Sequence, residues 1–218
     1  MLKDLSAALS GAESLRAEYL YSEVTGVPMR YTITYAKPNK LRIENDYRLV
    51  LADGKNVTVY DKTKNTFSKE EQNDATFYKA VTSEEVTLWT SFFYPDAFAQ
   101  VADPVWAGPV ERGAGKLESV KFKFNGDSSA VLYMGSDKIV RQAEIQISNG
   151  VSKRDVIFNV SDITLGGSID EKAFQWQPRG GAQEVAADAD RWYYTIPEGL
   201  EAAKKTKRLL FVDFYADW

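Results

Sequence analysis

Between Leu15 and about Val160 the chain alternates apolar and polar residues in short runs broken by turn residues, and this period of two constrains the fold more than any other feature. The runs are Tyr31-Ile33-Tyr35, Leu41-Ile43, Tyr47-Leu49-Leu51, Val57-Val59, Val120-Phe122-Phe124, Ile145-Ile147 and Val156-Phe158-Val160. Successive side chains of a strand point to opposite faces, so each run predicts a strand with one dry and one wet face. The breaks Thr25-Gly26-Val27-Pro28, Asp53-Gly54-Lys55-Asn56, Asn125-Gly126-Asp127, Gly135-Ser136-Asp137 and Asn149-Gly150 carry hairpin chemistry, because Gly and Asn tolerate the positive φ of tight turns. Consecutive strands are therefore expected to be antiparallel neighbours. There should be about ten, a number at which a sheet curls or closes.

Two helical stretches interrupt the alternation. Leu2, Leu5, Ala8 and Leu9 form a short amphipathic stripe ending near Gly11. Between Thr76 and Ala102, Thr82-Ser83-Glu84-Glu85 has the form of a helix start, followed at helical spacing by Leu88, Trp89, Phe92 and Phe93. Pro95 then opens a second short helix with Ala97, Phe98 and Val101. The economical place for this aromatic pair is across the concave dry face of the curled sheet. Segment Ala102–Gly115, with two Pro and three Gly, is expected to be a loop, and Pro178–Asp190 a linker.

Composition narrows the chemistry. The 218 residues contain no His and no Cys, which excludes Ser-His-Asp and Cys-His catalysis and the usual His/Cys zinc and haem sites. No cofactor, metal or catalytic residue is expected. The formal net charge of -4 gives no basic field for nucleic acid, and the apolar runs are too short to span a membrane. Lys204–Arg208 is a basic run at a helix end, where positive charge complements the dipole. Asp53, Asp61, Asp127 and Asp137 sit in or beside turns, where Asp bonds its own backbone, and Glu70-Glu71 reads as a solvated face. The N-terminus has no apolar signal core, which fits either an internal protein or one whose signal has been removed.

Four segments resemble the LolA/LolB family of lipoprotein carriers. They are Tyr35–Arg42 with its Lys37-Pro38 step, the hairpin Leu49–Asp61 containing Asp53-Gly54-Lys55 and Tyr60-Asp61, the strand Lys138–Ile147, and the closing stretch Asp162–Pro178 with Phe174-Gln175-Trp176. The resemblance implies a mainly β fold: an open antiparallel β half-barrel of about ten strands with an α-helical lid, over residues 1–185. It implies a non-catalytic carrier in the periplasm or cell envelope, binding a lipid-like ligand, an acyl chain or acylated protein, with an envelope protein as a further partner. Leu88, Trp89, Phe92, Phe93, Phe98, Tyr31, Ile33, Leu41, Ile43, Leu49 and Phe122 are the candidate ligand-binding residues. Tyr19, Tyr21, Leu51, Val120, Ile145, Ile147, Val156 and Phe158 are further inward candidates. Where the family often has Arg before the Pro, helping to tie the lid, this chain has Lys37, which lacks a planar two-pronged donor; Lys37 is the candidate lid latch.

Residues 186–218 form a linker and a short α/β stub. Trp192, Glu198–Lys205 and Arg208–Trp218 resemble the opening helix and central strand of a thioredoxin-like domain, whose next residues would be Cys-x-x-Cys. The natural protein is accordingly expected to continue past Trp218. Two further functions follow from the resemblances: a recognition module for a thiol-disulfide oxidoreductase, and an envelope-stress lipid sensor.

Overall fold

The computed structural model describes every residue except 100, 114, 125, 149–150, 188–194, 207–208, 210–211 and 213–218. Helix α1 (Leu2–Gly11) is followed by β1 (Ser14–Glu23), β2 (Met29–Ala36), β3 (Lys40–Glu44), β4 (Arg48–Ala52), β5 (Asn56–Asp61) and β6 (Thr66–Glu71). Helix α2 (Asp74–Val81) and two 3-10 helices (Glu84–Phe92 and Pro95–Phe98) come next. The chain then forms β7 (Ala102–Arg112), β8 (Gly115–Phe124), β9 (Ser128–Met134), β10 (Val140–Ser148) and β11 (Lys153–Leu165). A 3-10 turn (Glu171–Phe174), β12 (Gln183–Glu184) and helix α3 (Ile196–Thr206) complete it.

The strands make one open sheet in the order β12-β6-β5-β4-β3-β2-β1-β11-β10-β9-β8-β7. Neighbours are antiparallel except β12, which runs parallel to β6. The two ends do not pair, so the architecture is an unclosed, mainly β half-barrel of twelve strands, against the ten or so expected. The hairpin turns act as their residues require. In Asp53–Asn56, Asp53 Oδ1 accepts from the Lys55 and Asn56 N–H groups at 2.8 Å each, and Gly54 sits at φ 92°. Asn125, Asn149 and Gly150 of the other expected turns lie outside the described residues.

Alternation gives the sheet two unlike faces. On the inner face, Leu15, Ala17 and Tyr19 of β1, Tyr31, Ile33 and Tyr35 of β2, Leu41 and Ile43 of β3, Val120 and Phe122 of β8, and Phe158 of β11 belong to one buried core. Helix α1 contributes Leu2, Leu5 and Leu9, and the stretch 77–92 contributes Phe77, Val81, Val86, Leu88, Trp89 and Phe92. Helix α1 packs on both 3-10 helices, so the inner cover has four pieces where the sequence suggested two.

The outer face is covered over β3–β6 by the stretch after β11. Trp176 lies against Tyr60 and Phe67, ring centres 5.0 and 5.3 Å away, and Phe174 is buried. Backbone bonds pin its end, Gln183 N–H to Asn65 O (3.1 Å) and Val185 N–H to Phe67 O (2.7 Å). Residues 178–184, expected within a linker, are thus part of a strap.

Two further expectations are corrected. Ala102–Gly115 is not a loop, since β7 takes Ala102–Arg112 and pairs with β8. An edge strand bonds on one side only, so it accommodates Pro104 and Pro109, and its ladder shifts register twice. The stretch 82–93 is 3-10 rather than α-helical, and helix α2 precedes it. Helix α3 is opened by Thr195 Oγ1 donating to Glu198 at 2.9 Å. Trp192, and the strand expected over Leu209–Tyr215 apart from Leu209 and Val212, lie outside the described residues.

Phe158 is wholly enclosed at the centre of the inner core, whereas Trp176 on the strap keeps one side in solvent. Phe158→Ala should cost about 3–5 kcal/mol in urea unfolding, and Trp176→Ala about 1–2 kcal/mol. Equal losses would show that strap and inner core contribute alike.

Candidate functional site between sheet and lid

The strand period puts Tyr19 and Tyr21 of β1, and Tyr31 and Tyr35 on either side of Ile33 in β2, on the inner face. Tyr19 stacks on Tyr31 (5.5 Å between ring centres, 9° between planes), and Phe158 packs against Tyr19 at 5.9 Å and Tyr21 at 5.1 Å. The lid lays its aromatics on this floor. Trp89 sits 5.8 Å from Tyr19, Phe92 and Phe93 lie 5.8 and 5.1 Å from Tyr35, and Phe93 also meets Phe77 at 4.8 Å. A separate contact, Phe98 on Phe122 at 6.2 Å, fastens the shorter 3-10 helix to β8.

Of the candidate residues, Leu88, Trp89, Phe92, Phe93, Phe98, Tyr31, Ile33, Leu41, Ile43 and Phe122 are thus gathered on the inner side. Leu49 is not. It pairs with Glu44 and Tyr60, whereas its neighbour Val50 pairs with Ile43 and Val59, so Leu49 and Leu51 face outward, away from the lid. Leu51 instead lines an open cavity of about 660 Å³ beneath the strap, with Phe67, Phe174 and Trp176.

Polar ties fix the lid at both ends of β1. Near its start, Lys37 Nζ donates to Ser10 O, the last turn of α1, and lies 5.4 Å from the Phe92 ring centre. At its far end Glu84 is held by two residues: the Tyr21 hydroxyl donates to its carboxylate and Arg154 Nη2 pairs with it, while Arg154 Nη1 pairs with Glu23 at 3.1 Å. Between them the Tyr19 hydroxyl donates to Glu85 O at 2.6 Å. Sequence reasoning placed Glu84 at a helix start and stopped there. Nothing local announces the tie, because Arg154 comes 70 residues later and β11 brings it alongside β1.

Burial dominates the electrostatics of the floor. It holds the phenols of Tyr19, Tyr21, Tyr31 and Tyr35 above the usual tyrosine range, with the Glu84 carboxylate adding to the rise at Tyr21. The aspartates do turn work: Asp61 accepts from the Thr63 and Lys64 N–H groups at 2.9 and 3.0 Å, and Asp137 from Ile139 N–H at 3.1 Å. Among the described residues no group of three or more His, Cys, Asp or Glu is placed to hold a metal ion. No helix among them is long and apolar enough to cross a membrane.

No family profile matches the chain. A stretch of 43 residues is 46% identical to uncharacterized protein MJ0687 of Methanocaldococcus jannaschii, spanning 20% of this chain and only 13% of that protein. Among solved structures, an uncharacterized conserved protein from Thermus thermophilus superposes with a TM-score of 0.53 at 14% identity, covering 85% of this chain and 96% of that one. The two share a fold. LprF from Mycobacterium bovis (TM-score 0.47, 11% identity, 82% and 95% coverage) and the LolA superfamily protein NE2245 from Nitrosomonas europaea (0.37, 9%, 80% and 96%) are more distant in shape.

Two outcomes follow from this geometry. Glu84→Gln should weaken lid attachment by about 1 kcal/mol, since the pair is partly exposed and screened. Amide exchange over residues 84–92 should quicken in this variant and lose its salt dependence, while β1 stays protected; unchanged exchange would mean that the tie does not hold the lid. The raised phenols set the alkaline limit. Unfolded tyrosines ionise near pH 10 and the buried ones resist, so their contribution is intact below about pH 10 and is lost as pH rises further. The last part of the tyrosinate absorbance, that of these four buried phenols among the twelve tyrosines, should therefore appear together with loss of the fold, and its completion while the fold persists would contradict this.

Proposed function

We propose that this chain binds a lipid-like apolar ligand, an acyl chain or an acylated protein, between the inner face and the lid, and does no chemistry on it. One observation carries the reading: the cover of the inner face is built from short pieces fastened by side chains. A nine-residue 3-10 helix is long for a type whose hydrogen bonds are poorer than those of an α-helix. Among the described residues, polar ties at Glu84 and Glu85 join its first turn to the sheet. Such a cover separates from its floor without breaking the β ladder, and the floor it uncovers is apolar and aromatic.

The energetics favour reversible binding. Burying an acyl chain returns about 25 cal/mol per Å² of apolar surface, so several hundred Å² supply several kcal/mol. Displacing Trp89 and Phe92 from the same floor offsets part of this, and the ligand is held by the difference. Lys37 would act from the other end, by keeping α1 in place while the stretch 84–98 moves. The resemblance to lipoprotein carriers supports a place in the cell envelope, with residues 1–185 as the binding domain and an envelope protein as donor or acceptor of the cargo.

Titration of the full chain with a fluorescent acyl probe, with native mass spectrometry of the protein as purified, tests the reading. Saturable binding is expected, with lipid adducts in the spectrum, and Glu84→Gln should speed probe entry. A folded chain that takes up neither probe nor lipid would refute it.

A further inference from the structure

The sheet has a second concavity, on the face turned away from the lid. The open cavity of about 660 Å³ beneath the strap falls within the range of small-molecule sites, roughly 300–1,000 Å³. Its floor is a cross-strand row, Leu51 of β4, Thr58 of β5 and Lys69 of β6, side by side in the register of the ladder. Phe67, Phe174 and Trp176 give it an apolar and aromatic wall.

Thr58 is the informative residue. It is only 6% exposed, and among the described residues its hydroxyl has no hydrogen-bond partner. Where a position serves packing alone, Val fills the same β-branched space without a hydroxyl to satisfy. The Thr58 hydroxyl instead offers a donor and an acceptor at the bottom of the recess. In an open recess water serves such a group, and a ligand hydroxyl takes the place of that water bond for bond.

The rim is polar in both senses and balanced in charge. Glu171 is already paired with Lys40 at 2.5 Å, which leaves Lys55 and Lys69 against Asp53 and Glu184. A ligand of either sign meets repulsion as well as attraction there, so charge does not select it. The amides of Gln175 and Gln177 each donate and accept. Such a lining suits a neutral molecule with an apolar face for the rings and an edge of groups that both donate and accept. A pyranose ring has this form: its slightly positive C–H faces meet the negative face of an aromatic ring, and its hydroxyls bond as that of Thr58 does. An extended peptide suits it less, because peptides add to a strand edge, whereas this floor is the face of three strands already paired with one another.

We propose that the cavity beneath the strap is a second binding site, for a neutral saccharide, with Trp176 as the stacking ring and Thr58 as the hydrogen-bonding group of the floor. The two faces of the sheet then serve different ligands. This site does not depend on the lid, and failure of acyl binding on the inner face would leave it untouched.

Isothermal titration calorimetry of the full chain with cellotriose, maltotriose and triacetylchitotriose tests the proposal, with trialanine as the peptide control. Saturable heat is expected from at least one saccharide at millimolar concentration and none from trialanine. Thr58→Val should weaken that saccharide about tenfold, the worth of one hydrogen bond, while circular dichroism shows the fold intact. Trp176→Leu, which keeps an apolar side chain on the strap, should weaken it by a similar factor. Glu84→Gln, on the opposite face, should leave the affinity unchanged. No heat from any of the three saccharides, or an affinity unchanged in folded Thr58→Val, would overturn the proposal. Binding of trialanine alone would overturn it in favour of a peptide site. Displacement of the saccharide by the fluorescent acyl probe would also overturn it, by placing the sugar on the inner face.

Discussion

The contact between the tyrosine floor of β1–β2 and the aromatic lid is the one on which the rest depends. Neither side is stable without the other. An eight-residue α-helix and two 3-10 helices of nine and four residues are too short to persist alone in water. A twelve-stranded sheet with Leu41, Ile43, Phe122 and Phe158 on one face would expose an apolar surface large enough to drive association. Trp89 on Tyr19 and Phe92 on Tyr35 resolve both problems together. Lid formation is therefore coupled to covering of the floor. Anything that covered the floor equally well would compete with the lid.

The two covers of the sheet are built differently, and the difference sets which one can move. The outer strap joins the sheet as a strand: β12 pairs with β6, and its backbone bonds break only with the ladder. Trp176 between Tyr60 and Phe67 adds packing that does not depend on charge. The inner lid shares no ladder with the sheet, and its ends are held by Lys37, Glu84 and Arg154. Side-chain ties of this kind are screened by salt and cost about 1 kcal/mol each to release. The outer face is thus closed through the ladder itself, while the inner face is closed by packing and side-chain ties.

Much of this was legible in the alternation, and the exceptions have physical causes. Tyr31-Ile33-Tyr35 and Val156-Phe158-Val160 give strand and face directly, because one side of each strand is wetter than the other. Leu49-Val50-Leu51-Ala52 does not, since all four are buried, two under the lid and two on the strap side. A period of two says that neighbours face apart and never which face is which. Helix α2 was hidden because its start is Asn73-x-x-Thr76, a capping box without the usual Glu. Strand β7 was hidden because Pro and Gly at a sheet edge look the same in sequence as Pro and Gly in a loop. Lys37 was named only through the resemblance to lipoprotein carriers, whereas Glu84 was missed because Tyr21 and Arg154 meet it only after β1 and β11 pair.

The choice of tyrosine for the floor carries a further constraint. If the inner face served only as core, Phe or Leu would fill Tyr19, Tyr21, Tyr31 and Tyr35 without the expense of burying hydroxyls. Each buried phenol needs a partner. Tyr19 and Tyr21 spend theirs on Glu85 O and the Glu84 carboxylate, both on the lid, so two of the four hydroxyls help to hold the lid on the floor. Tyr35 has none. Without the lid Tyr19 and Tyr21 would lose these partners and be left as Tyr35 is. Closing therefore satisfies the floor only in part.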